Sequence, residues 1–339
     1  MRLAEEQHFI THDGTTLFYR YWPPVGSARP ERALLLLHRG HEHSGRLQHV
    51  VDELRLDDFA MFAWDARGHG RSPGQRGDSP SFSALVKDVD CFVRHVSERH
   101  AIAANQLAVI GQSVGAVLAA TWVHDYAPQI RCLVLTAPAF QVKLYVPLAR
   151  PGLALLQRLF GNFFITSYVK AKFLTQDAQR VRSYDEDPLI TRAISARVLL
   201  GLYDAADRVV ADAPAIRLPL QLLISEKDWV VHRAPQDRFF ERLGSPVKER
   251  HLLPGFLHDT LGERDRQLAI DRIRAFIERM FHEPVAADSL RQADRSGYTR
   301  DEEIRLGRPL PRFSPRAMNF ALTRLAMRTL GRLSDGIRI

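Results

Sequence analysis

The 339 residues are 45% hydrophobic and 25% charged, a composition that excludes disordered and fibrous proteins and allows one large domain with an inserted subdomain, or two modest domains. No stretch approaches the roughly 18 uninterrupted apolar residues of a transmembrane helix, and the opening MRLAEEQHFI lacks the apolar run of a signal peptide. The net charge is +8, and its basic excess falls in residues 141–217 and 284–339; without a nucleic-acid motif, this charge indicates an anionic membrane surface or an acidic protein as partner, and no nucleic acid.

The first 140 residues alternate short apolar runs with helical patterns. His8 to Ile10 and Thr16 to Trp22, on either side of Asp13-Gly14, predict an N-terminal β-hairpin. Continuous apolar runs, typical of strands buried on both faces, occupy residues 33–37, 60–64 and 107–110, and residues 130–135 predict the next strand. Helical spacing predicts helices over residues 82–100 and 114–126. The alternation indicates an α/β fold with a mostly parallel sheet and helices on both faces.

The alternation breaks at residue 141. Residues 141–214 have a helical pattern with aromatic and basic residues mixed, and strands return only at Leu220 to Ile224 and Val247 to Leu252. We interpret residues 141–214 as a helical cap inserted over the carboxyl edge of the sheet, where open α/β sheets bind ligands. Residues 1–140 and 215–283 then form the core.

Residues 284–339 differ from the core in composition. A polar linker leads into PRAMNFALTRLAMRTLGRL, which predicts an amphipathic C-terminal helix. Its basic side carries Arg316, Arg324, Arg328 and Arg332, and its apolar side Met318, Leu322, Leu325, Ala326, Leu330 and Leu333. Such a helix fits peripheral contact with an anionic membrane, and equally docking on this chain or on another domain.

The two cysteines, Cys91 and Cys132, fall in a predicted helix and a predicted strand. This usage is typical of small buried side chains in a reducing compartment and not of a disulfide framework. We therefore expect a cytoplasmic protein, with contact at the inner membrane face as the variant that the basic segments suggest.

Gly111-Gln112-Ser113-Val114-Gly115 matches the pattern G-x-S-x-G. A buried strand precedes it and a helix of small and apolar residues follows it. The glycines let the strand turn sharply into the helix, which holds the serine Oγ up at the edge of the sheet. Ser113 is therefore the candidate nucleophile.

A nucleophilic serine needs a base, and the base needs an orienting acid, in the chain order Ser, Asp, His. Asp228 follows the strand at Leu220 to Ile224, and His258 follows the next strand, so both groups are expected at the same sheet edge as Ser113. Glu226 competes for the role of the acid. His251 competes for the role of the base, but it lies within a predicted strand and is interpreted as structural.

Several motifs together resemble the monoacylglycerol lipase and lysophospholipase branch of the α/β-hydrolases, over about residues 8 to 282. They are His38, Glu42-His43-Ser44-Gly45-Arg46, the run Asp65 to Ser72, and Gly111 to Gly115. The resemblance implies an α/β-hydrolase core under a cap, and an oxyanion hole made by the backbone N–H groups of Gly40 and Val114. Two preset donors are needed because negative charge develops on the carbonyl oxygen in the transition state.

The chain departs from that branch in one loop. Where the family usually has His-Gly-x-Gly, this sequence has His38-Arg39-Gly40-His41. Arg39 and His41 are therefore candidate substrate-binding residues that would select an anionic lipid such as a lysophospholipid. Arg39 could instead pair with Glu42 or Asp65 and brace the loop.

The sequence also resembles a bacterial group in which such a hydrolase precedes a SAM-dependent methyltransferase. The stretch HRGHEHSGR and the long polar tail fit that group, so a methyltransferase domain or protein is a candidate partner. No glycine-rich SAM loop occurs here, and we predict no methyltransferase activity for this chain.

These observations predict a serine hydrolase that cleaves carboxylic esters of monoacyl lipids through an acyl-serine intermediate, with no cofactor and no metal. A thioesterase or an aminopeptidase using the same triad remains open, because the triad does not encode the leaving group. A non-catalytic lipid-binding module is the alternative from a different class.

Overall fold

The computed structural model describes residues 1–26, 30–144, 148–167 and 169–283. Its strands are β1 (Glu5–Ile10), β2 (Thr16–Trp22), β3 (Arg32–Leu37), β4 (Phe59–Trp64), β5 (Leu107–Gln112), β6 (Cys132–Thr136), β7 (Phe164–Thr166), β8 (Ala193–Ser195), β9 (Leu220–Ser225) and β10 (Lys248–Leu253). Its α-helices are α1 (Gln48–Leu54), α2 (Phe82–His100), α3 (Val114–Tyr126), α4 (Ala149–Phe160), α5 (Ala178–Glu186), α6 (Ala196–Ala211), α7 (Arg233–Arg242) and α8 (Gln267–His282).

Eight strands form one sheet in the order β1-β2-β4-β3-β5-β6-β9-β10. β1 and β2 are the predicted N-terminal hairpin, and β2 also pairs antiparallel with β4. All neighbouring pairs from β4 to β10 are parallel. The prediction of a mostly parallel sheet is therefore confirmed.

Helices cover both faces of this sheet. In β3, Leu35 packs into a cluster with residues of α2 and α3, whereas its neighbour Leu34 packs into a second cluster with residues of α1 and α8. Successive residues of a strand point to opposite faces, so a strand covered on both sides must be apolar throughout. This is why the central strands are uninterrupted hydrophobic runs in the sequence.

Residues 141–214, the segment predicted to form a cap, lie between β6 and β9 in the chain. It contains α4, α5 and α6, as its helical pattern predicts, and also the two short strands β7 and β8. These strands pair only with each other, antiparallel. With three residues each, they are shorter than the four or more residues that an alternating pattern needs to be recognised.

Further predictions concern the cysteines and the membrane. Cys91 in α2 and Cys132 in β6 are both free thiols, and burial raises the pKa of Cys132 to about 12. Among the described residues, no helix has the length and apolar character that crossing a bilayer requires. The predicted amphipathic helix at residues 316–333 lies outside the described residues.

Candidate active site

Ser113 lies between β5 and α3, where the chain turns sharply. Its backbone angles, φ 54° and ψ −113°, lie in a sparsely populated region. A Cβ on Gly111 would lie 2.5 Å from the Gly115 carbonyl oxygen, and a Cβ on Gly115 would lie 2.4 Å from the Leu37 carbonyl oxygen. Both distances are too short for any side chain, so the turn requires glycine on each side of the serine.

The structure brings Ser113, His258 and Asp228 together at the carboxyl edge of the sheet. His258 Nε2 lies 2.7 Å from Ser113 Oγ, and His258 Nδ1 lies 2.7 Å from Asp228 Oδ2. An ionised carboxylate only accepts hydrogen bonds, so Nδ1 carries the proton and Nε2 is left to accept from the serine hydroxyl. All three side chains are buried.

Asp228 is held as an acceptor by its own loop. The backbone N–H groups of Val230 and Val231 donate to its Oδ1 at 2.7 and 2.9 Å. Burial opposes ionisation of this carboxyl, but its electrostatic interaction with His258, together with the hydrogen bonds from His258 and from the loop, outweighs burial and lowers its pKa. The carboxylate is therefore charged and aimed at the histidine.

The two competing residues lie elsewhere. Glu226 is exposed, and its Oε2 accepts a hydrogen bond from the Gly255 N–H at 2.9 Å. His251 lies in β10, with its Nε2 3.2 Å from Glu249 Oε2. Neither side chain is part of the hydrogen-bonded chain that includes Ser113.

Gly40 and Val114 lie side by side next to Ser113. A Cβ on Gly40 would lie 3.0 Å from Val114 Cγ2, and both residues line the same cavity as Ser113 and His258. Val114 is the first residue of α3, and the first N–H groups of a helix have no partner within the helix. The loop after β3 and the start of α3 thus place the two predicted oxyanion donors next to Ser113.

Arg39 is buried and ion-paired. One of its terminal nitrogens donates to Glu42 Oε1 at 2.7 Å, and its guanidinium lies over the Tyr184 ring, 5.0 Å from the centroid. Burial opposes the charge, yet Glu42 and Asp259 raise the pKa of Arg39 above its ordinary value. Of the two bracing partners considered, Glu42 is the one in contact; Asp65 instead accepts from backbone N–H groups.

His41 lines the cavity in a left-handed conformation, with φ 69°. Burial, together with the nearby charge of Arg39, lowers the pKa of His41 to about 4. Within the described residues, its Nδ1 has no hydrogen-bond partner. The ring is therefore neutral near pH 7 and has a free polar atom.

A cavity of about 750 Å³ opens from Ser113 and His258 into the cap. Its walls are mainly aliphatic side chains of the cap, including Leu153, Leu156, Ile165, Leu174, Ile194, Leu199 and Leu202. This volume lies within the range of ligand sites, and the polar lining residues include Ser113 and His258 at one end and Thr166, Ser167 and Tyr203 in the cap. Among the described residues, no group of three or more His, Cys, Asp or Glu side chains is placed to hold a metal ion.

Sequence reasoning overlooked a polar pair directly beside the triad. The Gln112 side chain donates to Asp259 Oδ1 at 2.9 Å, and both residues are buried. Gln112 precedes Ser113, and Asp259 follows His258. Their adjacency to both functional residues is the only signal in the sequence that could have identified them.

A family model described as serine aminopeptidase, S33, matches residues 28–265, which is most of the chain. The chain belongs to this family. A second model, described as a putative methyltransferase, matches residues 273–339 of this S33-family chain. That match supports the resemblance to hydrolases that precede a methyltransferase domain.

The family member YnbC of Escherichia coli (strain K12) is 52% identical over 339 residues, which is all of this chain and 58% of that protein. The chain thus spans little more than half the length of this relative. The monoacylglycerol lipase of Mycolicibacterium smegmatis is 25% identical over 279 residues, covering 80% of this chain and 96% of the lipase. A soluble variant of the Saccharomyces cerevisiae monoglyceride lipase, solved with a substrate analogue, has the same α/β-hydrolase fold: the TM-score is 0.73 at 18% identity, covering 83% of this chain and 96% of that one.

Proposed function

We propose that this α/β-hydrolase cleaves carboxylic esters of monoacyl lipids, with Ser113 as nucleophile, His258 as general base and Asp228 as orienting acid. One observation carries the proposal: a buried serine, hydrogen-bonded to a histidine that a carboxylate orients, opens into a mainly aliphatic cavity of about 750 Å³. The similarity to monoacylglycerol lipases supports the same substrate class.

In the first half of the reaction, Ser113 Oγ attacks the ester carbonyl and His258 Nε2 takes the serine proton. The negative charge that forms on the carbonyl oxygen is stabilised by the N–H groups of Gly40 and Val114. His258 then gives the proton to the leaving alcohol as the ester bond breaks, which leaves an acyl-serine. In the second half, water attacks the acyl-serine by the same route and releases the fatty acid.

The acyl chain would lie in the aliphatic part of the cavity, where each buried methylene contributes about 0.8 kcal/mol. The head group would lie near Arg39 and His41. Because Arg39 is paired with Glu42 and His41 is neutral near pH 7, neither offers a free positive charge for a phosphate. These contacts support a neutral glyceride rather than a lysophospholipid.

Two partners beyond the substrate belong to the proposal. Helix α4 has no buried residues and exposes Leu155, Leu159 and Phe160, which supports peripheral contact of this helix with a lipid surface. The match of residues 273–339 to a methyltransferase family model supports a methyltransferase domain or protein as the second partner.

The test begins with Ser113→Ala. This variant should lose ester hydrolysis by about 10⁴-fold or more, because only the oxyanion hole and binding remain, and should lose labelling by a fluorophosphonate probe. Ser83→Ala, at an exposed position of α2, is the matched control and should keep both. Folded Ser113→Ala protein with substantial esterase activity would refute the assignment.

The leaving group is decided by comparing monoacyl esters, thioesters and aminoacyl amides of matched chain length on the same preparation. We expect kcat/KM to be highest for the esters. A higher kcat/KM for the thioester or the amide would assign the triad to a thioesterase or an aminopeptidase. Absence of fluorophosphonate labelling in the wild-type chain would favour a non-catalytic lipid-binding module.

A further inference from the structure

The loop that carries His258 is tied to the cap on both sides of the histidine. On one side, the Leu257 N–H donates to Glu263 Oε2 at 3.0 Å, and the other oxygen of Glu263 accepts from the Gln176 N–H of the cap at 2.8 Å. On the other side, the Asp259 N–H donates to the Leu174 carbonyl of the cap at 2.7 Å. The position of this loop therefore depends on a cap segment.

Asp259 also ties the loop to the strand of the nucleophile. Its Oδ1 accepts from the Gln112 side chain at 2.9 Å and from the Gly262 N–H at 3.1 Å. Gln112 is the last residue of β5, directly before Ser113, and Asp259 directly follows His258. The Asp259 carboxylate thus links the residue after the base to the residue before the nucleophile.

The charge of this carboxylate is balanced from the cap. Arg180, in the first turn of α5, directs its Nε and a terminal nitrogen at Asp259 Oδ2, both at 3.4 Å, while Arg39 Nε lies 4.0 Å from Oδ1. Asp259 is only 2% exposed, and a carboxylate so buried is stable only when it is paired. Burial opposes ionisation, but the two arginines hold the pKa of Asp259 well below its ordinary value.

The site leaves little freedom for Arg180. A Cβ on Gly262 would lie 2.2 Å from Arg180 Nε, so only glycine leaves room for the guanidinium there. The same guanidinium lies 3.2 Å from His49 Nδ1, and His49 Nε2 lies 2.7 Å from the Leu261 carbonyl oxygen. Arginine has no acceptor, so His49 accepts from Arg180 through Nδ1 and donates to Leu261 through Nε2.

We propose that Arg180 and Asp259 are positioning residues through which the cap sets the placement of His258 relative to Ser113. The inference rests on the proposed function and adds a second task for the cap, which then completes the catalytic site as well as enclosing the acyl chain. A displacement of a catalytic group by about 1 Å can cost about 100-fold in rate. Loss of the Arg180 contact should therefore act on the chemical step.

Arg180→Met removes the charge and keeps most of the side-chain length. We expect kcat to fall about 10- to 100-fold with KM changed less than threefold, and the fall should be equal for a butyryl and a long-chain monoacyl ester. The rate of Ser113 labelling by a fluorophosphonate should fall by the same factor. Arg180→Lys should recover part of each loss, because it restores the charge.

Arg182→Met is the matched control, since Arg182 is exposed on the same helix, and it should keep wild-type kcat and labelling. A cap that only encloses the acyl chain predicts a different result: KM rises, the loss grows with chain length, and labelling of Ser113 is unchanged. That result in Arg180→Met would overturn the inference. A wild-type chain that is not labelled at all would overturn the proposed function instead.

If Arg180→Met does not fold, Asp259→Asn tests the same contact from the other side, because asparagine keeps the shape and the acceptor for Gln112 but not the charge. Asp259→Asn should lower kcat and the rate of Ser113 labelling by the same factor. Unchanged labelling in folded Asp259→Asn would overturn the inference. Where all variants fold, kcat of the double variant Arg180→Met/Asp259→Asn should fall no further than kcat of the more affected single variant. Both substitutions remove the same contact, so their effects do not add.

Discussion

Arg39 directly precedes Gly40, yet its positive charge is paired with a carboxylate of the protein itself. The guanidinium donates to Glu42 at 2.7 Å, and Arg46 Nε donates to the same carboxylate oxygen at 2.8 Å. Both arginines also lie over the Tyr184 ring of the cap. The positive charge of Arg39 therefore braces the loop that carries Gly40, the proposed oxyanion donor, and we expect it to affect all substrates alike.

Arg39→Met tests this residue. Loss of a buried ion pair should lower the free energy of unfolding by about 3 kcal/mol and displace the Gly40 N–H, which serves every substrate alike. We therefore expect kcat/KM to fall by the same factor for a neutral monoacylglycerol and for a lysophospholipid. Arg217→Met, at an exposed position, is the control. A loss at least tenfold greater for the lysophospholipid would show that Arg39 binds its phosphate.

The positions of the triad residues could be predicted because each one follows its own parallel strand, and such strand ends meet at one edge of the sheet. The contact between Arg180 and Asp259 could not be predicted, since it joins residues 79 apart through the packing of the cap. For Arg39 the sequence leaves Glu42, Asp65 and an anionic substrate open as partners, because sequence separation alone does not choose among them.

At the scale of single elements, α4 has two apolar sides. Leu153 and Leu156 line the cavity, with Leu156 also 43% exposed, whereas Leu155 and Leu159 lie on another side of the helix and are 57% and 64% exposed. The helical periodicity of this segment predicts the helix but not which side is covered, because both sides are apolar. Only the packed structure separates the cavity wall from the exposed surface.

The exposed side of α4 leads to a prediction for membrane binding. The chain should co-sediment with anionic vesicles at low salt and less at high salt, since each basic residue near the surface contributes about 1 kcal/mol that salt screens. Leu159→Asp should weaken binding about tenfold or more, because burying a leucine is worth about 1.5–3 kcal/mol. Leu268→Asp, on α8, is the control. No binding of the wild-type chain at low salt would contradict the prediction.

At the scale of the described molecule, the loops after β3 and β4 carry three histidines whose pKa is lowered: His38 is buried, and His41 and His69 are half-buried. Burial lowers the pKa of His38, lowers the pKa of His69 to about 3 and, with the charge of Arg39, lowers the pKa of His41 to about 4. His38 Nε2 accepts from the Ala66 N–H at 3.0 Å, so this ring is neutral. These histidines thus stay uncharged in the folded chain at pH values below about 6.5, where the unfolded chain binds protons on them.

This difference predicts that the fold loses stability in mild acid. Above pH 6.5 the histidines are neutral in both states and cost nothing; as the pH falls from 6.5 toward 4, the unfolded chain binds protons that the folded chain does not, so the free energy of unfolding decreases. Each such histidine lowers the free energy of unfolding by up to about 1.4 kcal/mol for each pH unit in that window. His41→Asn removes one of them while tolerating the positive φ, so its free energy of unfolding in urea should fall less steeply between pH 6.5 and 5 than that of wild type. His282→Asn, at an exposed position of α8, is the control and should keep the wild-type slope of the free energy of unfolding against pH. The same slope in His41→Asn as in wild type would contradict the prediction. It would mean that the His41 ring is protonated in the folded chain as readily as in the unfolded one.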